Sequence, residues 1–230
     1  MNKKDSKKEF STITKQEINY LIDKNGKIKK FKPWLGDIFS FLYDRIMQKS
    51  IFPKLFNGNI DKHFEILKKE FKNIHNLNII EIATGSGTLS DFLPNDNKYV
   101  GVDISKGLLK KANLRFKKNG FENFELWNTI AEKLPFNENT FDFAVCNLSL
   151  NFFDDIDLFL QELRKILKTN STFFCNVPIP ERKPEKSKIR GTLYSEKEWN
   201  EIFKKYGFNF ESKSYKNGAV LYFTAILKEK

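Results

Sequence analysis

An acidic residue at the end of an apolar segment, followed by small residues, is the feature of this sequence most suited to binding chemistry. The stretch "NIIEIATGSG" carries Glu81 and then small side chains at Ala83, Gly85 and Gly87. The next apolar segment ends at Asp103. Glycine lets a ligand approach the backbone closely, and carboxylates accept hydrogen bonds from hydroxyl and ammonium groups. These residues predict a ligand site built from two strand ends and a glycine turn.

Two ligand classes use a glycine turn at such a place. A dinucleotide requires G-x-G-x-x-G, because its pyrophosphate lies against a helix N-terminus. Ser90 stands at the sixth position here, so that pattern is incomplete. The alternative pattern, acid-x-small-x-Gly-x-Gly, begins at Glu81. It fits a ligand that lacks phosphates and carries an amino acid end and a ribose.

Apolar segments that alternate with amphipathic ones surround this turn and must position it. Near-continuous apolar strands separated by helices indicate a parallel sheet covered on both faces. In such sheets, ligands bind at the carboxyl ends of the strands, beside the first strand. Asn217-Gly218, between two further strand-like segments, predicts a hairpin. We therefore predict a doubly wound α/β fold with a seven-stranded, mostly parallel sheet and an antiparallel C-terminal hairpin strand.

The part of the chain before the first core strand reads as helical. Residues 17–75 predict an N-terminal helical cap that packs on the core, and residues 76–230 form the predicted cofactor-binding core. Residues 1–16 are rich in lysine and lack the apolar middle of a secretory signal, so we expect a mobile tail.

Composition limits the other possibilities. The net charge of +11 permits a nucleic-acid partner, but lysine supplies nearly all of it, and arginine is the preferred reader of phosphates and bases. A solvated lysine-rich surface is the favoured interpretation. Cys146 and Cys175 lie in apolar segments and predict buried, reduced thiols, hence a cytoplasmic protein. No apolar run reaches the roughly 20 residues of a membrane span. His63 and His75 are not clustered, so we predict no metal site.

Three stretches in order resemble the class I S-adenosylmethionine-dependent methyltransferases over residues 76–180. They are "EIATGSG", "VGVDISKGLLKKA" and "AEKLPFNENTFDFAVCNLSLNFFDD". The similarity is strongest to the small-molecule, quinone-biosynthesis-like group, called methyltransferase type 11. It implies S-adenosyl-L-methionine as cofactor, with the Asp103 carboxylate on both ribose hydroxyls.

The resemblance also implies which residues contact the cofactor. The implied set is Glu81, Ala83, Gly85, Gly87, Asp103, Ile104, Ile130, Ala131 and Asn147. Two of these positions depart from the family pattern. Ala83 replaces the usual first glycine, and Ile130 stands where many relatives have an aspartate for the adenine amino group. The adenine edge then relies on the backbone of Ile130 and Ala131, or on Glu132.

The methyl acceptor is less defined. Asn151 stands where many relatives have a histidine, and an asparagine is no general base near neutral pH. Asn151, Tyr43, Arg190 and Tyr194 are the substrate-pocket candidates, with Tyr43 as the first lid candidate. We expect methyl transfer to a small molecule by in-line displacement. An RNA or protein acceptor and a non-catalytic cofactor-binding module are the alternatives.

Overall fold

The fold is a single nine-stranded mixed sheet, within the residues that the structure describes. The computed structural model describes residues 11–29, 31 and 42–228. The strands are β1 Thr12–Lys15, β2 Ile18–Leu21, β3 Asn78–Ile82, β4 Lys98–Asp103, β5 Phe124–Asn128, β6 Phe141–Asn147, β7 Leu167–Pro178, β8 Phe208–Ser212 and β9 Val220–Leu227. Their spatial order is β1-β2-β5-β4-β3-β6-β7-β9-β8.

The central strands run parallel, as predicted. β3 pairs in parallel with β4 on one side and with β6 on the other. The chain therefore moves to one side of β3 and later returns to its other side, which creates a switch point at the carboxyl end of β3. The glycine turn follows β3 directly. The fold itself thus puts the turn where an open α/β sheet binds its ligands.

Helices cover both faces of this sheet. They are α1 Tyr43–Ile46, which continues as a π-helix over Met47–Leu55, then α2 Ile60–Phe71, α3 Lys106–Lys118, α4 Ile156–Ile166 and α5 Glu196–Lys205. One apolar core lies under α4 and α5, and the other lies under α2 and α3. Asn59, Ser105, Asp155 and Ser195 cap α2 to α5, and each side chain accepts a backbone amide of the first turn.

The strand count corrects our prediction of seven. The two additional strands are β1 and β2, which form an antiparallel hairpin in a region assigned to the tail and the helical cap. β2 pairs in parallel with β5 and so extends that edge of the sheet. Ile18 and Leu21 are buried, which explains why this short segment docks. Residues 32–41, at the start of the predicted cap helices, lie outside the described residues.

The C-terminal hairpin is confirmed. β8 and β9 pair antiparallel, and β9 also pairs antiparallel with β7. Asn217 and Gly218 lie just before β9 rather than in a tight two-residue turn, because β8 ends at Ser212. Both cysteines are buried and unpaired. None of the described helices combines the length and apolarity that crossing a bilayer requires.

Candidate active site

The loop after β3 has a strained backbone. Ala83 has φ 57°, Gly85 has φ 57° and Gly87 has φ 75°. Glycine adopts this left-handed conformation freely, whereas alanine pays roughly 1–2 kcal/mol for it. A Cβ on Gly87 would lie 2.9 Å from the Cα of Ala112 in α3, so Gly87 also permits close helix packing. The loop keeps its shape at Ala83 at an energetic cost, and such strain is common at functional sites.

Glu81 is the buried anchor of this loop. Its Oε2 accepts hydrogen bonds from the hydroxyls of Tyr99 and of Thr84, the latter at 2.7 Å. Its Oε1 accepts the Nδ2 of Asn147 at 2.9 Å. Burial raises the pKa of Glu81 to about 7, against the opposing effect of these three donors; the negative charge of Asp103 adds to the increase. The carboxyl group therefore titrates near neutral pH.

The side-chain amide of Asn147 is hydrogen-bonded to a second side-chain amide on the neighbouring strand. Asn176 of β7 donates its Nδ2 to the Oδ1 of Asn147 at 2.6 Å. Asn176 is fully buried, and no described residue hydrogen-bonds to its Oδ1. The ends of β3, β6 and β7 are thus joined by Glu81, Asn147 and Asn176. This row fixes the orientation of the Asn147 side chain.

Asp103 joins the second strand end to the glycine loop. Its Oδ2 accepts the amide of Gly85 at 2.8 Å, and its Oδ1 accepts the amide of Ser105 at 2.8 Å. The next residue, Ile104, is 37% exposed despite its apolar side chain. Asn128, at the end of β5, donates to the carbonyl oxygens of Asp103 and Ile104, and its own buried Oδ1 has no partner within the described part of the chain.

Ile130 and Ala131 follow β5 on the same edge of the sheet. Ala131 is buried and Ile130 is half-buried. Ile104 directly follows Asp103 at the end of β4, so apolar residues follow the ends of both β4 and β5.

The helix α1, which precedes α2, contacts the glycine loop. Ser86 donates its hydroxyl to Oδ1 of Asp44 at 2.6 Å. Lys111 of α3 donates to Oδ2 of the same carboxylate at 3.1 Å. Asp44 therefore connects α1 with the loop and with α3.

A cavity of about 80 Å³ lies between the glycine loop and these N-terminal helices. Its polar side includes Glu81, Ala83, Gly85 and Asn147. Its opposite side is formed mostly by apolar residues, namely Met47, Phe52, Ile60, Phe64 and Leu67, together with His63. Leu148, which also lines it, has φ 53°, a second strained residue in the same place. The predicted loop residues and the N-terminal helices thus share one cavity.

The substrate-pocket candidates have different surroundings. Asn151 is 3% exposed and donates its Nδ2 to the carbonyl of Arg190 at 2.7 Å. Arg190 itself is exposed. Tyr194 packs against Trp199 with a ring-centroid separation of 4.9 Å. None of these three lines the cavity described above. Tyr43 begins α1, and its side chain lies outside the described part of the structure.

Sequence reasoning missed several residues of this site. Tyr99, Asn176 and His63 each contact a residue far away in the chain, so no local motif marks them. Asp44, which lines the cavity and accepts from Ser86, was not among the predicted site residues either. A polar residue in an otherwise apolar strand, such as Asn176 in "FFCNVP", is the only local signal present.

Comparison with known proteins finds similar methyltransferases. Residues 80–175 match the family model described as a methyltransferase domain. A methyltransferase of uncharacterized function from Bacillus subtilis, YcgJ, is 29% identical over 96 residues, which are 41% of this chain and 38% of that protein. The ubiquinone/menaquinone biosynthesis C-methyltransferase UbiE of Rickettsia bellii is 30% identical over 153 residues, 62% of this chain and 56% of that protein. The chain spans about half the length of the curated relatives it matches.

Solved structures agree on the fold. A S-adenosylmethionine-dependent methyltransferase from Aquifex aeolicus superimposes with a TM-score of 0.62, covering 80% of this chain and 96% of that one at 20% identity. The strained glycine loop, the strand-end carboxylate and the matched family model all fall within one stretch of sequence. Residues 80–175 thus match a methyltransferase domain, and the fold resembles that of solved S-adenosylmethionine-dependent methyltransferases.

Proposed function

We propose that this protein transfers a methyl group from S-adenosylmethionine to a small-molecule acceptor. The observation that carries the proposal is the contact between Asp103 and Gly85, which joins the ends of two neighbouring strands beside the cavity. A strand-end carboxylate next to bare backbone suits a ligand with a ribose at one end and an amino acid at the other. The family implies this cofactor.

The residues present fit such a nucleoside. Asp103 would bind the ribose hydroxyls, since one carboxylate offers two acceptor oxygens. Ala83 and Gly85 leave the loop backbone open on the cavity side, where the methionyl part would lie. The exposed side chain of Ile104 and the half-buried Ile130 would contact the adenine. The buried Oδ1 of Asn128, which has no partner among the residues described, would add a hydrogen-bond acceptor near Asp103.

The cofactor, when bound, supplies a methyl group on a positively charged sulfur, and the chain has to align the acceptor with it. Alignment by itself is worth effective molarities on the order of 10⁵ to 10⁸ M. The apolar wall formed by Phe52, Phe64 and Leu67 would exclude water from the acceptor side. The row of Glu81, Asn147 and Asn176 would hold the polar side of the cavity rigid. None of these steps needs a strong base if the acceptor atom is already nucleophilic.

A small acceptor is favoured over RNA or protein because the described cavity holds only about 80 Å³ and apolar side chains form one part of its lining. The relative from Rickettsia bellii is a quinone-biosynthesis C-methyltransferase by name, which supports a ring-shaped acceptor. Asn151, Arg190, Tyr194 and Tyr43 remain our proposed outer contacts of this acceptor. Each is changed to Ala in turn, and turnover should fall in at least one of the four variants. Unaltered rates in all four would show that none of these residues contacts the acceptor.

Calorimetric titration with S-adenosylmethionine and with its demethylated product tests the proposal directly. We expect heat of binding for both ligands. A labelled-methyl screen against small-molecule and RNA fractions then identifies the acceptor class. Measuring binding over a series of salt concentrations distinguishes a small-molecule acceptor from RNA, because an RNA complex loses affinity steeply with added salt. Absence of binding for both nucleosides would overturn the proposal, and binding without transfer to any fraction would favour the non-catalytic module.

A further inference from the structure

His63 is a titratable residue among the apolar side chains that line the cavity, whereas Asp44 and Arg115, which also line it, bond to Ser86 and Thr88 of the glycine loop region. It lies in the first turn of α2 and is 3% exposed. The ring of Phe52 lies 4.8 Å away and that of Phe64 lies 6.0 Å away, measured between ring centroids. Burial lowers the pKa of His63 to about 3, so the ring is neutral at physiological pH.

The amide of Asn217 has one possible orientation. Its Oδ1 lies 2.8 Å from the backbone N–H of Asn59, which can only donate. Its Nδ2 lies 3.0 Å from the backbone carbonyl of Asn59, which can only accept. The Nδ2 therefore also donates to the hydroxyl of Tyr222, at 3.2 Å. Two backbone groups thus determine which partner is the donor at Tyr222.

The orientation of Asn217 determines the tautomer of His63. The hydroxyl of Tyr222 accepts from Asn217, and among the described residues the acceptor left for its own proton is the Nδ1 of His63, which lies 2.9 Å away. Nδ1 is then the acceptor, and a neutral imidazole carries its only proton on the other nitrogen. Nε2–H of His63 is consequently a donor, and no described residue hydrogen-bonds to it.

We propose that Nε2–H of His63 binds an oxygen of the methyl acceptor, which is a small, largely apolar molecule with a hydrogen-bond-accepting oxygen. The inference rests on the proposed function, since it concerns the acceptor side of the same cavity. A neutral donor among Phe52, Ile60 and Phe64 matches an apolar molecule whose carbonyl or hydroxyl oxygen needs one partner. A cationic methyl acceptor would find no hydrogen-bond-accepting atom at Nε2.

Nitrogen NMR of the histidines tests the tautomer and the contact without any turnover. The chain contains only His63 and His75, so protein labelled with ¹⁵N-histidine gives two ring systems. His75 is exposed beside Asp96 and serves as the internal control. We expect the Nε2–H tautomer for His63 across the neutral pH range. An Nδ1–H tautomer would overturn the proposal.

Acetophenone and ethylbenzene are suitable probes because they share ring and chain length and differ in one carbonyl oxygen. Added to protein saturated with the demethylated cofactor product, acetophenone should shift the Nε2 resonance of His63 and leave His75 unchanged. Ethylbenzene should shift it far less. Equal effects of the two probes, or no effect of either, would overturn the proposal.

Variants complete the test once an acceptor is known from the labelled-methyl screen. His63→Gln keeps an N–H donor near the position of Nε2, whereas His63→Leu removes it. We expect KM for the acceptor to rise about tenfold or more in the Leu variant and to recover in part in the Gln variant, with cofactor affinity equal in both. An unchanged KM in the Leu variant would refute the role of His63. If the unmodified protein does not bind the cofactor, the proposed function is refuted instead.

Discussion

The Oδ2 of Asp103 accepts the backbone amide of Gly85 at 2.8 Å, so the end of β4 holds the loop that follows β3. The other carboxylate oxygen accepts the amide of Ser105, which precedes α3. One side chain therefore links a loop, a strand end and a helix start. The same side chain is the expected ribose ligand, so its loss should affect the cofactor more than any exposed acid does.

Replacing Asp103 with Ala should weaken the binding of S-adenosylmethionine by at least about 1.5–3 kcal/mol, the usual value for hydrogen bonds to a charged group. That corresponds to roughly a tenfold to hundredfold increase in Kd. Calorimetric titration measures it. Asp96→Ala is the matched control, because Asp96 is exposed and bonds only to His75 and Asn97 among the described residues. Equal affinities of the Asp103 variant and the unmodified protein would contradict the assignment.

Replacing Ala83 with Gly should stabilise the protein. At φ 57° alanine pays roughly 1–2 kcal/mol that glycine does not pay. Glycine in turn adds up to about 1 kcal/mol of unfolded-state entropy, so we expect a net gain of about 0.5–1 kcal/mol in the free energy of unfolding. Urea denaturation measures it. Ala83→Val should shift stability in the opposite direction, because a β-branched residue tolerates this conformation worse; a less stable Gly variant would contradict the reasoning.

Local patterns in the sequence predicted the central strands, the glycine turn and the strand-end acids. Apolar runs and small residues are local signals, and the order of a doubly wound sheet then brings Glu81 and Asp103 to one edge. The first hairpin was missed because all of β1 is exposed and β2 has only four residues, too few for a clear alternation. Burial of Ile18 depends on β5, about a hundred residues later in the chain.

The polar network could not be predicted for a related reason. His63 meets Tyr222, and Asn147 meets Asn176, only because α2 and β9 pack together and β6 pairs with β7. Such pairings follow from the sheet order, and nothing near these residues in the chain indicates them. The glycine loop after β3 was thus predictable from the sequence, whereas the groups that orient it were not.

Replacing Gly191 with Ala should destabilise the loop that carries Arg190. Gly191 has φ 87°, and a Cβ there would lie 2.1 Å from the carbonyl oxygen of Asn151. Backbone must move to relieve that contact, so we expect a loss of about 3 kcal/mol from overpacking and the left-handed conformation together. Gly26→Ala is the control, because its φ is 72° and no atom lies within 4 Å of the added Cβ. Urea denaturation of both variants should give a clearly larger loss at Gly191, and equal losses would refute the steric argument.

Glu81 should make the stability of the protein depend on pH in a defined direction. Its pKa rises from 4.5 in the unfolded chain to about 7 in the fold. Below pH 4.5 the carboxyl is protonated in both states, and its contribution to stability is fully present. As the pH rises towards 7, the unfolded chain ionises first, so the free energy of unfolding should fall by an amount on the order of 3 kcal/mol.

Glu81→Gln isolates this effect because Gln keeps the size of the side chain and cannot ionise. His63 acts in the opposite direction: its pKa falls from 6.5 to about 3, so its contribution is present above pH 6.5 and is lost as the pH falls. Both proteins contain His63. Subtracting the Gln variant's free energy of unfolding at each pH from that of the unmodified protein therefore cancels the contribution of His63. The difference in the free energy of unfolding, measured with urea from pH 4 to 8, should decrease with rising pH and level off above about pH 7. A difference that increases with pH would mean that the fold stabilises the ionised carboxylate, and Glu81 would then be a permanent negative charge beside the cavity.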